Sequence, residues 1–113
     1  MKNMIKEAPG VAQGFFDLAK SVKQFSPLDE KTNELILLGI FTANRGLRGI
    51  HTHVERAMDE GATKEELISA VLLALPIIGI TDTNLALDET VAAIDNYETK
   101  QATSRKEVAS AVS

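Results

Sequence analysis

The run Leu35-Ile36-Leu37-Leu38-Gly39-Ile40-Phe41 indicates the centre of the fold, because a helix of this composition has apolar side chains on every side. Such a helix should be surrounded by protein, so we expect it at the centre of the domain. Asp29 can cap its N-terminus, and Glu30 lies in the first turn, where the helix dipole favours a carboxylate. The chain is therefore predicted to build its core around one helix that starts near Asp29.

The segment before the central helix has the pattern of an amphipathic helix. Its large apolar residues recur at spacings of three and four, which places them on one face. Ser26-Pro27 ends this first helix, since proline disfavours helical backbone at the residue before it. The apolar face consists of Val11, Phe15, Leu18, Val22 and Phe25.

Further helices are predicted after the central one. Gly61 closes the third helix, because glycine suits the left-handed position that follows a helix. The residues from Thr63 to Glu66 form a capping box that opens a fourth helix, which Pro76 kinks or ends. Thr81 or Asp82 caps a fifth helix. The apolar stripes of the third and fifth helices consist of Leu47, Ile50, Val54, Ala57 and Met58, and of Leu87, Val91 and Ile94.

No strand-like alternation survives beyond a few positions, so the predicted fold class is all-α, with about five to six helices in one domain over residues 1–97. Residues 98–113 are rich in Ala, Ser, Thr and Lys and are expected to form a frayed tail or a peripheral helix. A chain of 113 residues cannot easily cover two helices that are apolar nearly all round. We therefore expect a homo-oligomer, whose interfaces would bury these surfaces.

Composition argues against several classes of function. Twelve Lys and Arg against sixteen Asp and Glu give a net charge of -4, so the chain has no basic footprint for nucleic acid. The apolar runs are shorter than the roughly 20 residues that span a bilayer, and the first residues do not resemble a secretion signal. We therefore expect a cytoplasmic protein without a membrane partner. The absence of cysteine removes thiolate ligands, cysteine nucleophiles and dithiol redox chemistry, and no cofactor is expected.

The segment from Asn44 to His53 holds the densest cluster of reactive side chains and both histidines of the chain. It lies at the predicted start of the third helix, where unpaired amides together with Arg45 and Arg48 can bind an anion. The plainer alternative is that the glycines shape a turn and the arginines are solvated. His51 and His53 point about 200° apart on a helix and cannot chelate one ion, so no metal site is expected.

Glu34 is the other candidate for chemistry, because it directly precedes the apolar part of the central helix. A carboxylate at the rim of an apolar core is expected to have a raised pKa and can relay protons. Acidic residues are also common in the first turns of helices for dipole reasons, so a purely structural role stays open. His51 has Glu55 one turn further on, which suggests a surface pair, although periodicity alone does not decide which histidine faces inward.

Several segments together resemble the carboxymuconolactone decarboxylase and alkylhydroperoxidase D family. They are Leu28 to Ile36, Ala43-Asn44, His53, and Glu60 to Leu67. The resemblance covers residues 28–97 and implies the helical bundle of that family. It also implies a homo-oligomer, commonly a trimer or a hexamer built through the central helices.

The peroxidase branch of this family carries a Glu, a CxxC pair and a His, and both cysteine positions are glycine here. The matching residues are Glu34, Gly46, Gly49 and His53. Peroxidase chemistry needs a thiolate, so the resemblance does not carry that activity to this chain. Glu and His form the proton relay in that branch, which favours His53 over His51 as the inward residue.

The decarboxylase branch also lacks the cysteine pair. Resemblance to it implies a lyase that acts on a small carboxylated lactone or carbonyl compound, by decarboxylation or proton transfer. His53 would then be the general acid and base, and Glu34 would hold its tautomer or relay protons. Arg45, Arg48 and His51 are the candidate substrate-binding residues. The alternative is a non-catalytic, oligomeric binder of small anions that has lost the peroxidase site.

Overall fold

The computed structural model describes residues 1–112 and consists of α-helices joined by short turns. Ser113, the last residue of the expected tail, lies outside the described residues. The helices are α1 (Lys2–Glu7), α2 (Pro9–Phe25), α3 (Glu30–Ala43), α4 (Leu47–Asp59), α5 (Lys64–Leu72), α6 (Leu75–Ile78) and α7 (Ile80–Val112). No strand is present in residues 1–112, so the predicted all-α fold class is confirmed.

The helix ends predicted from the sequence are formed by the expected interactions. The side chain of Asp29 accepts a hydrogen bond from the backbone N–H of Thr32 at 2.7 Å and so caps α3. Thr63 and Glu66 form the reciprocal capping box at the start of α5. Gly61, after α4, has a left-handed φ of 89°. Each of these features is local. The caps at Asp29 and Thr63 satisfy backbone N–H groups that a helix start leaves unpaired, and Gly61 lets the chain turn away after α4.

The core lies between α3, α4, α5 and α7. From α4 it takes Ile50, Val54 and Ala57, which belong to the predicted stripe and are fully buried. Leu38 of α3 and Ile94 of α7 belong to the same buried cluster. One face of α4 thereby packs against the core, and its two histidines point to opposite sides, His53 toward α3 and His51 toward α7.

α3 is central but is not surrounded by protein, contrary to the sequence-based expectation. It packs on α4, α5 and α7, and Leu38 is buried, whereas Ile36 and Ile40 are exposed. The other helices of one chain cover only part of α3, because α1 and α2 pack mainly on each other. The radius of gyration of 16.3 Å accordingly exceeds the value of about 13 Å typical of a compact chain of this size.

The C-terminal part of the chain is one long helix. α7 continues through Tyr97 to Val112, and residues 98–111 are all exposed. Before it, α5 ends at Leu72 and the single-turn α6 carries Pro76, so the predicted break occurs slightly earlier than Pro76. None of the helices in residues 1–112 combines the length and apolarity that crossing a membrane requires.

Candidate functional site

Glu34 and His53 meet where α3 packs on α4. Oε2 of Glu34 and Nδ1 of His53 are hydrogen-bonded. The Glu34 side chain is 2% exposed and the His53 side chain is 11% exposed. The imidazole is therefore secluded, and the carboxylate behind it is buried.

The second carboxylate oxygen of Glu34 is paired with a lysine from α2. Nζ of Lys23 donates a hydrogen bond to Oε1 of Glu34 at 2.7 Å and lies 3.6 Å from Oε2 of Glu30. The Lys23 side chain is partly exposed, so the lysine end of the hydrogen-bonded row Lys23–Glu34–His53 is in contact with solvent. Lys23 has no local signal in the sequence, because the contact depends on how α2 crosses α3 in space.

Lys23 and His53 keep the carboxyl group of Glu34 ionised. Burial raises the pKa of this carboxyl group, but the hydrogen bonds from Lys23 and His53 and the attraction to their charges together outweigh it, so the pKa lies below the ordinary 4.5. The same hydrogen bond to Glu34 raises the pKa of Lys23 above 10.5. The predicted raised pKa of Glu34 is therefore wrong, because burial is opposed by a lysine that lies outside the local sequence.

An ionised Glu34 fixes the tautomer of His53. A carboxylate only accepts hydrogen bonds, so Nδ1 of the imidazole carries the proton that is donated to Oε2. The lone pair of the neutral ring is then on Nε2. Within residues 1–112 no group hydrogen-bonds Nε2, and this atom is not among the buried polar atoms that are unpaired, so it reaches solvent. Nε2 is the atom placed to exchange a proton with a bound molecule.

The ring of Phe41 covers one face of the His53 imidazole. The two rings are stacked, with centroids 5.0 Å apart and planes inclined by 20°. A Cβ atom on Gly46 would lie 2.5 Å from Cδ1 of Phe41, and a Cβ atom on Gly49 would overlap the same ring. Glycine at both positions therefore leaves room for Phe41 to reach His53. The sequence shows these two glycines only as positions where the peroxidase branch has cysteine. Their packing against Phe41 depends on how α3 lies beside α4, which the sequence does not show.

His51 faces away from this site. Its Nε2 lies 2.6 Å from Oε2 of Glu89 on α7, so the expected surface pair with Glu55 is replaced by a contact between helices. The two histidines thus point to different neighbours of α4, as their spacing predicts. No group of three or more potential metal ligands comes together in the described part of the chain.

The two arginines expected to bind an anion form no hydrogen bond or ion pair with His53. Nε of Arg45 lies 3.5 Å from Oδ1 of Asp82, at the start of α7. Arg48 is exposed and has no ion-pair partner within residues 1–112. Arg56 follows His53 by three residues, which places both on the same side of α4. This spacing is the sequence signal that could have identified Arg56.

A small cavity of about 130 Å³ opens beside the Glu34 carboxylate. Its lining is mixed in charge and consists of Lys23, Arg56, Glu30, Glu34, Asp59 and Glu60. A larger and mostly apolar groove of about 690 Å³ lies between α3, α5 and α6, and neither Glu34 nor His53 lines it. The acid–imidazole pair therefore lies apart from this larger groove.

Comparisons with known proteins agree on one family. The family model described as the carboxymuconolactone decarboxylase family matches residues 9–92, a range that includes α2. Among solved structures, the chain is similar to the apo crystal structure of a carboxymuconolactone decarboxylase family protein from Legionella pneumophila. The two are 27% identical, the match covers 85% of each chain, and the TM-score is 0.75. A search of curated proteins found no match.

Proposed function

The chain belongs to the carboxymuconolactone decarboxylase family, and from this premise we propose that it performs acid–base chemistry on a small carboxylated lactone or carbonyl compound. The observation that carries the proposal is the buried pair in which Glu34 holds Nδ1 of His53 and leaves Nε2 toward solvent. An imidazole held in one tautomer presents a single nitrogen to a bound molecule and is suited to moving a proton there. The proposed reaction is a decarboxylation or a proton transfer.

Decarboxylation assigns a defined task to each of these groups. Loss of carbon dioxide breaks a carbon–carbon bond and leaves its electron pair on the remaining carbon, which must then take up a proton. Protonated His53 donates that proton from Nε2, and the neutral ring that remains still donates its Nδ1 proton to Glu34. A proton from solvent restores the imidazolium. Lys23 acts as a positioning residue, because it keeps Glu34 ionised throughout.

The carboxylate of the substrate requires a cation near the imidazole. Arg45 is already paired with Asp82, and His51 is hydrogen-bonded to Glu89. Arg48 and Arg56, whose guanidinium groups form no ion pair within residues 1–112, are the arginines available for this role.

Thiol peroxidase chemistry is not part of the proposal. The positions that carry cysteine in the peroxidase branch are Gly46 and Gly49, and the adjacent volume is filled by the ring of Phe41. A thiolate nucleophile is therefore missing, and the space for its side chain is occupied.

One observation favours a second candidate function, a non-catalytic family member that binds small anions. The cavity beside Glu34 measures about 130 Å³, whereas ligand pockets usually have about 300 Å³ or more. Such a protein would bind carboxylates without converting them.

The test compares His53→Gln with the same change at His51, which lies on the same helix and faces Glu89 instead. Across a panel of carboxylated lactones, with carbon dioxide release as readout, we expect His53→Gln to lower kcat by about 100-fold or more, as general acid–base catalysis requires. His51→Gln should stay within a few-fold of the parent protein. Melting curves would show that both variants are folded.

Two results would contradict the proposed chemistry. Turnover that survives in His53→Gln would remove the imidazole from the mechanism. A parent protein that binds the carboxylates but converts none of the panel would support the non-catalytic candidate.

A further inference from the structure

The apolar face of α2 is open to solvent. Of the residues in α2, all of which are described, Ala12 alone is buried. The side chains of the apolar stripe predicted from the sequence are between 51% and 89% exposed. We call this face the arm stripe, and it consists of Val11, Phe15, Leu18, Val22 and Phe25. A contiguous apolar face of this kind on a folded chain marks an interaction surface.

The arm, formed by α1 and α2, is held to the bundle near the end of α2. Lys23 donates to Glu34 at 2.7 Å, and Oγ of Ser26 donates to Oδ1 of Asn33 at 2.9 Å. On a helix, Lys23 lies roughly a third of a turn from the centre of the arm stripe. The contacts that hold the arm therefore leave the stripe uncovered by its own chain.

A second open apolar surface lies on the bundle. It is the groove of about 690 Å³ between α3, α5 and α6, and Ile36, Leu73 and Ile77 in its lining are exposed. Ile36 belongs to the apolar run of α3 that the sequence predicts to be covered. An amphipathic helix that lays its apolar face into such a groove is a common mode of recognition.

Charge favours contact of an arm with a bundle over contact between two arms. The arm has four lysines against Glu7 and Asp17, whereas the whole chain has a net charge of -4, so the rest of the chain is acidic. Glu65 and Glu66 line the groove; Glu66 is paired with Lys31 at 2.9 Å, whereas Glu65 has no ion-pair partner within residues 1–112. Opposite net charges attract during association, and like charges on two arms repel.

We propose that the arm stripe of one chain docks into the α3–α5–α6 groove of a second copy of the chain. The arm and the groove are different surfaces, and every chain carries both, so each chain can offer its arm to one copy and its groove to the same or to another copy. Docking covers the exposed part of α3 and the exposed face of α2 together. The inference depends on these two surfaces and not on the proposed chemistry.

The first experiment introduces one charge into each surface. Val22→Asp changes the arm stripe, Leu73→Asp changes the groove, and Val108→Asp is the matched control, because Val22 and Val108 are 61% and 63% exposed. Size-exclusion chromatography with light scattering should show an assembly for the parent protein and for Val108→Asp. We expect each of the other two variants to weaken assembly by about 30-fold or more, as at an interface hot spot. Circular dichroism would show that the helices are retained.

The second experiment mixes Val22→Asp with Leu73→Asp. Each mixed pair has one intact arm and one intact groove, so a dimer of the two variants should form although neither variant assembles alone. An interface between two arms would not be restored in this way.

Three outcomes would overturn the proposal. They are a parent protein with the mass of one chain, a Val22→Asp variant that assembles like the parent, and a mixture that stays monomeric. A single chain that binds phosphatidylcholine–phosphatidylserine vesicles through the arm would instead identify a lipid surface as the occupant.

Discussion

Single residues determine the chemistry of the candidate site through a row of three side chains. Lys23 donates to one oxygen of Glu34, and His53 donates to the other. The lysine changes what the buried carboxyl group can do, since an acid that stays ionised fixes an imidazole tautomer but is a poor proton relay. The proton that moves is then the one on Nε2 of His53.

The Lys23–Glu34 pair makes the stability of the fold depend on pH. The folded pKa of Glu34 lies below 4.5, so its contribution is full above pH 4.5 and is lost as the pH falls through the folded pKa. The folded pKa of Lys23 lies above 10.5, so its contribution is full below pH 10.5 and is lost as the pH rises through the folded pKa. We expect the free energy of unfolding, measured with urea, to decline in both directions outside this window.

Replacement of Glu34 should show how much of the pH dependence of stability comes from the Lys23–Glu34 pair and how much from other titrating groups. We expect Glu34→Gln to lower the free energy of unfolding at pH 7 by about 1–3 kcal/mol, because a charge-assisted hydrogen bond is lost while Lys23 can still reach water. Glu30→Gln is the control, since Glu30 is exposed and 3.6 Å from Lys23, and it should cost less than about 1 kcal/mol. An unchanged acid dependence in Glu34→Gln would show that Glu34 does not titrate as described.

At the scale of helices, the approach of α4 to α3 depends on glycine. Phe41 of α3 lies over the first turn of α4, in the space that side chains at positions 46 and 49 would need. The same ring stacks on His53. The two glycines therefore link helix packing to the orientation of the imidazole.

Gly49→Ala should force the Phe41 ring to move. We expect the free energy of unfolding to fall by about 1–3 kcal/mol, the usual cost of overpacking. Gly39→Ala is the matched control on α3, because its Cβ atom would lie 3.6 Å from the carbonyl oxygen of Ala70, an ordinary contact. Urea denaturation should show no loss for Gly39→Ala, since alanine favours the helix.

A second change tests whether Phe41 is the cause. Adding Phe41→Leu to Gly49→Ala removes the ring and should recover part of the lost stability. If Gly49→Ala is as stable as the parent protein, the Phe41 ring can move away from the added methyl group without cost, and the predicted overpacking is wrong.

The whole molecule is a bundle with two helical extensions. The arm carries exposed apolar side chains, whereas residues 98–111 of α7 are exposed and largely polar. Burial of apolar surface is the main driving force of association. The arm therefore has more binding free energy to gain from a partner than the C-terminal extension has.

A stop after Lys100 tests the polar extension. Residues 101–111 are all exposed, so their removal should change the free energy of unfolding by less than about 0.5 kcal/mol. Thermal and urea unfolding of the shortened chain would measure this, with light scattering to follow its mass. A loss above that value, or a change in the number of chains per assembly, would place these residues in an interface.

The start of α3, the end of α4 and the start of α5 follow from the sequence alone, because the features at Asp29, Gly61 and Thr63 act within a few residues of the chain. The resemblance implied that Glu34 and His53 belong to one site, and the composition showed that the chain has no cysteine.

The contacts of Lys23 with Glu34, of Phe41 with His53 and of Glu89 with His51 depend on the tertiary structure, because each joins side chains on different helices. The tertiary structure also decided that the stripe of α2 lies open. Periodicity states which side chains share a face, whereas the element that covers the face depends on how distant helices, or other copies of the chain, come together.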